Sequence, residues 1–210
     1  MPIPGRAALP VLPSPPWPLA FVRLVAAAWL LAVGAAQAQP AVLADLALQD
    51  QHGRALKPRD LDGQVLLLNF VFAGCSSTCP VQTRELAELR RGLPADVAAR
   101  TRFLSVTVDP DNDTPPMLAA FARRMGADLP GWSFAGGATR DVNRLIDRMQ
   151  ALDARQKPAP LESHRTSVYL YGPTGQLVLR FAGVPVDRVR LADEITRAAR
   201  QPSSPASTSP

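Results

Sequence analysis

The chain has 210 residues, 22 of them Pro, with 23 Lys+Arg against 18 Asp+Glu and two Cys. That length suits one domain with flanking segments, two cysteines are too few for a disulfide-dense scaffold, and a mean hydropathy of zero argues against a multi-span membrane protein. The net charge of +5 comes almost wholly from Arg, Lys57 and Lys157 being the two lysines, and the Arg are scattered beside acids rather than gathered in the stripe that nucleic-acid binding requires.

Residues 1–38 read as an export signal. Arg6 and Arg23 are their charges, Leu24 to Ala36 is an apolar run of 13, and Ala36-Gln37-Ala38 offers small residues at a cleavage site. Arg23 and Gln37 cut the run short of the about 20 residues a spanning helix needs, although an uncleaved N-terminal membrane anchor is the alternative. No Cys precedes Cys75, so no acylated-cysteine anchor is expected. The Pro-rich stretch before Arg23 suggests that translation starts further downstream, near Val22. The Pro/Ser-rich tail, 200–210, has no apolar face and is expected to be disordered. The working domain is therefore 39–199.

Within it, Ala44 to Leu48 reads as a short strand, followed by a Gln51-His52-Gly53 turn that His52 merely decorates. Gln64 to Phe72 (QVLLLNFVF), bounded by Gly63 and Gly74, suits a central strand buried on both faces. Val81 to Arg91 follows as a helix with Leu86 and Leu89 on one face. Arg102 to Val108 is the next strand. Thr114-Pro115-Pro116 opens a helix carrying Met117, Phe121 and Met125 down one side. Trp132 to Phe134 is a short strand, Thr139 to Leu152 a helix, and Asp153 to Ser163 a polar loop. Thr166–Tyr171 and Gln176–Phe181 form a hairpin around Gly172-Pro173-Thr174-Gly175, and Asp187 to Ala199, with Val189 and Ile195, is the last helix. The order β-α-β-α-β-α-β-β-α is α/β: a central mixed sheet with helices on both faces and a C-terminal hairpin plus helix, the layout of a thioredoxin-like fold.

The chemistry concentrates in Cys75-Ser76-Ser77-Thr78-Cys79-Pro80, where the buried strand ends and a helix begins. Active groups favour the carboxyl ends of strands in open α/β sheets. A helix N-terminus lowers a thiol pKa. Four residues of helix put two side chains on one side, with Cα atoms about 6 Å apart, within disulfide range. Cys75 and Cys79 therefore suit a redox pair or a two-sulfur metal clamp. A purely structural disulfide closing so small a loop would add only about 2 kcal/mol. Two thiolates with an imidazole favour one copper ion, Cu(I) and also Cu(II). Of the two histidines, His164, ahead of the Thr166 strand, is the better third metal ligand. Asp109, at a strand end, is a candidate for tuning the site, or else a turn residue before Pro110. Asp111, Asp113 and Thr114 read as turn and cap residues.

Taken together, Asn69-Phe70-Val71-Phe72-Ala73-Gly74-Cys75, Thr78-Cys79-Pro80, Ser105-Val106-Thr107-Val108-Asp109-Pro110, Asp113-Thr114-Pro115, Gly131-Trp132, and His164 ahead of Tyr169-Leu170 and Gly172-Pro173 resemble the SCO/SenC family, thioredoxin-like copper proteins linked to cytochrome c oxidase assembly. The resemblance implies that Cys75, Cys79 and His164 bind one copper. It further implies a periplasmic metallochaperone delivering copper to the dinuclear copper centre of cytochrome c oxidase, with a thiol reductant as second partner. Ser76 stands where many members have Pro, a departure that weakens the expectation of delivery to the oxidase. The loop His164-Arg165-Thr166 lacks the Pro that thioredoxin carries opposite its cysteines, which favours a ligand position. The competing reading is a thiol-disulfide oxidoreductase using Cys75 and Cys79 on partner cysteines. A peroxide-reducing enzyme is weakest, for want of a T-x-x-C setting with a paired Arg.

Overall fold

The structure, a computed structural model, describes residues 41–152, 166–181 and 183–201. The expected leader, the loop Asp153–Ser163, His164 and the tail from residue 202 lie outside the described residues. The chain divides into two units, Met1–Ala36 and Gln37–Pro210, and every described residue belongs to the second. Among the described residues no helix is long and apolar enough to cross a membrane.

The described strands are β1 (Leu48–Asp50), β2 (Ala55–Leu56), β3 (Val65–Val71), β4 (Thr101–Thr107), β5 (Trp132–Gly137), β6 (Val168–Tyr171) and β7 (Leu177–Phe181). They form one sheet in the order β2-β1-β5-β4-β3-β6-β7. Strands β3, β4 and β5 run parallel; β6, β7, β1 and β2 each join antiparallel. The helices are α1 (Thr78–Gly92), α2 (Ala95–Ala99), α3 (Pro115–Arg124), α4 (Thr139–Met149) and α5 (Arg188–Ala199). The α/β architecture expected from the element order is the one observed.

Every residue of β3 is buried, as its unbroken apolar run requires of a strand with neighbours on both edges and helices on both faces. On one face, α1 lays the Arg90 guanidinium 5.0 Å from the centre of the Phe103 ring, and α3 sets Phe121 against Phe134 at 6.0 Å. On the other, Phe70 meets Tyr169 edge-on at 6.5 Å, and the Tyr169 hydroxyl donates to the Met149 carbonyl at the end of α4 (2.9 Å).

Several boundaries move. The first strand is Leu48–Asp50 rather than Ala44–Leu48, because Asp50 starts the following turn from inside the ladder: its carboxylate accepts from His52 N and Arg54 N, both at 2.9 Å. His52 is an exposed turn residue, as expected. Helix α2 fills a stretch that sequence periodicity leaves blank, and α4 ends at Met149, where Gln150 turns left-handed with φ 49°. Met117 and Val189 are 45% and 76% exposed, not core. The buried stripes run through Leu118, Phe121 and Ala122 on α3 and through Leu191, Ile195 and Ala198 on α5, and each exposed residue falls outside its helix's stripe.

Candidate functional site: a thiol pair at a strand–helix junction

Strand β3 delivers the chain to the carboxyl end of the sheet. Cys75 N donates to Phe72 O (3.1 Å), closing a turn, and α1 begins at Thr78. The helix starts three residues earlier than its apolar period suggests. Cys79 therefore sits inside the first turn, where backbone N–H groups have no carbonyl partners within the helix. Ser77 occupies the N-cap position, yet its side chain makes no capping bond. The sulfur of Cys75 takes that role instead, accepting from Cys79 N at 3.4 Å, with the Ser77 hydroxyl 3.9 Å away.

Both cysteines are thiols outside any disulfide, and both are buried, Cys75 at 6% exposure and Cys79 at 1%. Their electrostatics diverge. Burial pushes the Cys75 thiol up, but hydrogen bonds from the Cys79 thiol and from the Ser77 and Cys79 groups outweigh it, and the result lies below the ordinary thiol value. Burial pushes the Cys79 thiol far up, and its hydrogen bond to the Cys75 sulfur adds to the shift. The Cys75 sulfur is thus the readier of the two to lose its proton, chiefly because the Cys79 thiol and then the backbone N–H groups of Ser77 and Cys79 donate to it, while Cys79 holds its proton.

A buried carboxylate braces the loop ahead of Cys75, and it is Asp113 rather than Asp109. Asp113 Oδ2 accepts from Ala73 N at 2.9 Å and from the Thr107 hydroxyl at 2.5 Å. Arg124 holds the other side of the same residue, donating to Ala73 O at 3.2 Å. Burial, and then the charge of nearby Asp109, raise the Asp113 carboxyl against the lowering effect of its two hydrogen bonds. Asp109 itself accepts from Asn112 Nδ2 (2.8 Å) in an exposed turn, as a turn residue before Pro110 would. Asp111 accepts from the Thr139 hydroxyl (2.6 Å), and Thr114 occupies the N-cap position of α3 without a side-chain bond. The turn reading of Asp113 is therefore corrected: it reaches back 40 residues to the cysteine loop. Pattern gives no sign of this, since a D-x-D-T-P string looks like a helix cap whether or not its second Asp is buried.

Two further residues were missed. Asn69 stands in the middle of buried β3 and Gln82 one turn beyond Cys79 on α1, each 1% exposed, and Asn69 Nδ2 donates to Gln82 Oε1 at 2.9 Å. A polar residue interrupting a seven-residue apolar strand was the available signal for Asn69. Among the described residues, no cluster of three His, Cys, Asp or Glu side chains able to hold a metal ion occurs; Cys75 and Cys79 are brought together, and His164 is outside the described residues.

A family model described as SCO1/SenC matches residues 34–200. Among curated relatives, the SCO1 protein homolog of Bacillus subtilis (strain 168) is 29% identical over 138 residues, covering 65% of this chain and 71% of the relative. The mitochondrial SCO2 homolog of Bos taurus is 26% identical over 159 residues, 75% of this chain but 58% of the relative's own length. Among solved structures, the SCO1/SenC family lipoprotein of Bacillus anthracis aligns with a TM-score of 0.63 at 25% identity, covering 73% of this chain and 92% of that one. BsSco, described as having a disulfide switch and as a member of the Sco family of cytochrome c oxidase assembly proteins, aligns with a TM-score of 0.63 at 26% identity over 74% of this chain and 92% of its own. Copper-bound yeast Sco1 shares the fold with a TM-score of 0.61 at 22% identity, over 78% of this chain and 95% of its own.

Proposed function

We propose that this chain, which belongs to the SCO1/SenC family, is an exported copper-binding protein that takes up one copper ion on Cys75, Cys79 and His164 and passes it to the dinuclear copper centre of a cytochrome c oxidase. The observation that carries the reading is the thiol pair itself: one sulfur in the turn just before α1 and one in its first turn, the Cys75 sulfur accepting from Cys79 N and its thiol lowered below the ordinary value chiefly by the hydrogen bond from the Cys79 thiol. Two thiolates are soft donors that suit Cu(I), and an imidazole completes a three-coordinate set. Structures of Sco proteins with copper bound, including that of yeast Sco1, support copper as the cargo, and the description of BsSco supports oxidase assembly as the setting.

The chain's own groups then divide the work. Cys75 offers a sulfur that deprotonates readily. Cys79 holds its proton tightly, so binding must expel that proton, and uptake weakens as pH falls. The Asp113–Ala73 and Arg124–Ala73 bonds fix the loop that carries Cys75. Oxidation of the two thiols to a disulfide removes both donors, so a reductant must act before copper binds. The N-terminal segment, cleaved behind Ala38, would place the domain in the periplasm; the uncleaved segment would anchor it there.

A second reading has an observation of its own, the asymmetry of the pair. In thiol-disulfide exchange the Cys75 thiolate attacks a partner disulfide and releases one partner thiolate. Cys79 then gives up its proton and attacks the mixed disulfide, leaving Cys75–Cys79 oxidised and the partner's two cysteines reduced. Such a step would prepare the copper-ligand cysteines of the acceptor.

The deciding experiment is a Cu(I) titration of the reduced mature protein, as wild type and as His164→Ala. Tight stoichiometric binding by the wild type and weakened binding by the variant are expected. Equal binding by both would remove His164 from the site, and no binding by the wild type would leave the oxidoreductase reading.

A further inference from the structure

A cavity of about 310 Å³ lies at the amino ends of β4 and β5, the opposite end of the sheet from the thiols, and it shares no residue with the thiol site. Its floor is one face of the sheet. Leu104 and Ser133 are register partners on β4 and β5, and Arg102 stands two residues before Leu104. Leu48 and Asp50 lie on the same face of β1, since Asp50 pairs with Ala135 two residues beyond Ser133. Leu46, Leu56 and Leu61, from the segment that connects β1 and β2 to β3, complete an apolar wall. Its size is at the lower end of the range for small-molecule pockets. At the about 30 Å³ that each water takes in the liquid, it has room for about ten non-hydrogen atoms.

The polar groups around this cavity are unevenly satisfied. Asp50 is buried and fully used: its carboxylate accepts from His52 N, Arg54 N and Arg54 Nε and is paired with the Arg54 guanidinium at 2.7 Å. Lys57 and Asp60, both exposed, contribute one charge of each sign. That leaves Arg102 and Ser133, both half-buried, whose side chains have no hydrogen-bond or ion-pair partner among the described residues. Arg102 also stands beside a second cation. A Cβ placed on Gly131 would lie 3.2 Å from Arg102 Nη1 and 3.3 Å from Arg90 Cζ, so two guanidinium groups flank one point. Arg90 is held by backbone carbonyls, Pro130 O at 2.8 Å and Thr101 O at 3.3 Å, and by no carboxylate. Two like charges at the edge of an apolar cavity, without an acid between them, are unfavourable until an anion joins them.

We propose that this cavity binds a small carboxylate with an apolar tail, about ten non-hydrogen atoms in all, its head on Arg102 and Ser133 and its tail against Leu46, Leu48, Leu56, Leu61 and Leu104. The planar guanidinium matches a carboxylate through two parallel N–H donors, and the Ser133 hydroxyl supplies one more. The leucines give the tail a surface that excludes water. The proposal is independent of the copper reading, because no cysteine lines the cavity.

The test is an NMR titration of the reduced, isotope-labelled exported protein with octanoate, 1-octanol and octylammonium, each kept below its micelle-forming concentration. Octanoate is expected to give saturable shifts in the amides of 46–61, 102–104 and 133 and none at 75–79. It should bind more tightly than octanol, and octylammonium most weakly. From butanoate to octanoate each added CH₂ should tighten binding about 4-fold, with no further gain once the cavity is full. Arg102→Met keeps the length of the stem and removes the charge. It is expected to weaken octanoate about 10-fold or more and to leave octanol unchanged. The proposal is overturned if octanoate gives no saturable shifts, if they fall elsewhere on the protein, or if octylammonium binds as tightly as octanoate. Equal octanoate affinity in Arg102→Met and wild type would also overturn it. The three probes on the wild type decide the question even if the variant fails to fold.

Discussion

Replacing Asp113 by Ala removes the acceptor of two buried donors, the Ala73 N–H at 2.9 Å and the Thr107 hydroxyl at 2.5 Å. Each donor left unpaired costs about 1–3 kcal/mol, offset in part because a buried carboxylate is no longer desolvated. A net loss of about 3 kcal/mol follows, a fall in Tm of roughly 6–12 °C for a domain of this size. Asp113→Asn behaves differently. Both donors converge on Oδ2, so an amide with its oxygen in that place keeps both bonds and never ionises; its stability at neutral pH should lie within about 1 kcal/mol of wild type. The pH dependence separates the two effects. The Asp113 carboxyl is raised in the fold, chiefly by burial, so its contribution to stability is complete below the ordinary carboxylate range near 3.8 and is lost as pH climbs through the raised value. Urea unfolding of wild type, Asp113→Ala and Asp113→Asn across that window is the assay. The bracing argument fails if Asn destabilises as much as Ala. The burial argument fails if the wild-type and Asn curves run parallel through the window.

The thiol asymmetry predicts that sub-stoichiometric iodoacetamide labels Cys75 first, at a rate rising with pH through a midpoint below the ordinary thiol value, with Cys79 labelled mainly after unfolding. Peptide mass spectrometry reads this out, and prior labelling of Cys79 would contradict it. Cys75→Ser should abolish both Cu(I) uptake and disulfide formation; retained stoichiometric uptake would show that the pair does not act as a clamp. N-terminal sequencing of the exported protein should begin at Gln39, and recovery of residues before it would support an uncleaved anchor.

Much of the site was legible one-dimensionally. An apolar run from Val65 to Val71 can satisfy its side chains only as a strand covered on both faces, and the structure buries all of it. Two cysteines four apart at the end of that strand point to paired sulfur chemistry before any coordinates are drawn. Boundaries were less legible for local reasons: the turn before α1 replaces hydroxyl capping with a sulfur acceptor, so the helix begins at Thr78, where no apolar period announces it.

What only the tertiary structure decided lies in contacts between distant segments. Asp113 and Ala73 are 40 residues apart, and Gln82 and Gly183 are 101 apart. Strand order brings them together by setting β3 between β4 and β6. The different characters of Cys75 and Cys79 belong to the same class, since burial and the hydrogen bond from one thiol to the other act on each sulfur according to its place and not its name. Periodicity tells which residues must leave water; it does not tell which buried polar atoms will meet, because that depends on how the covered elements are laid side by side.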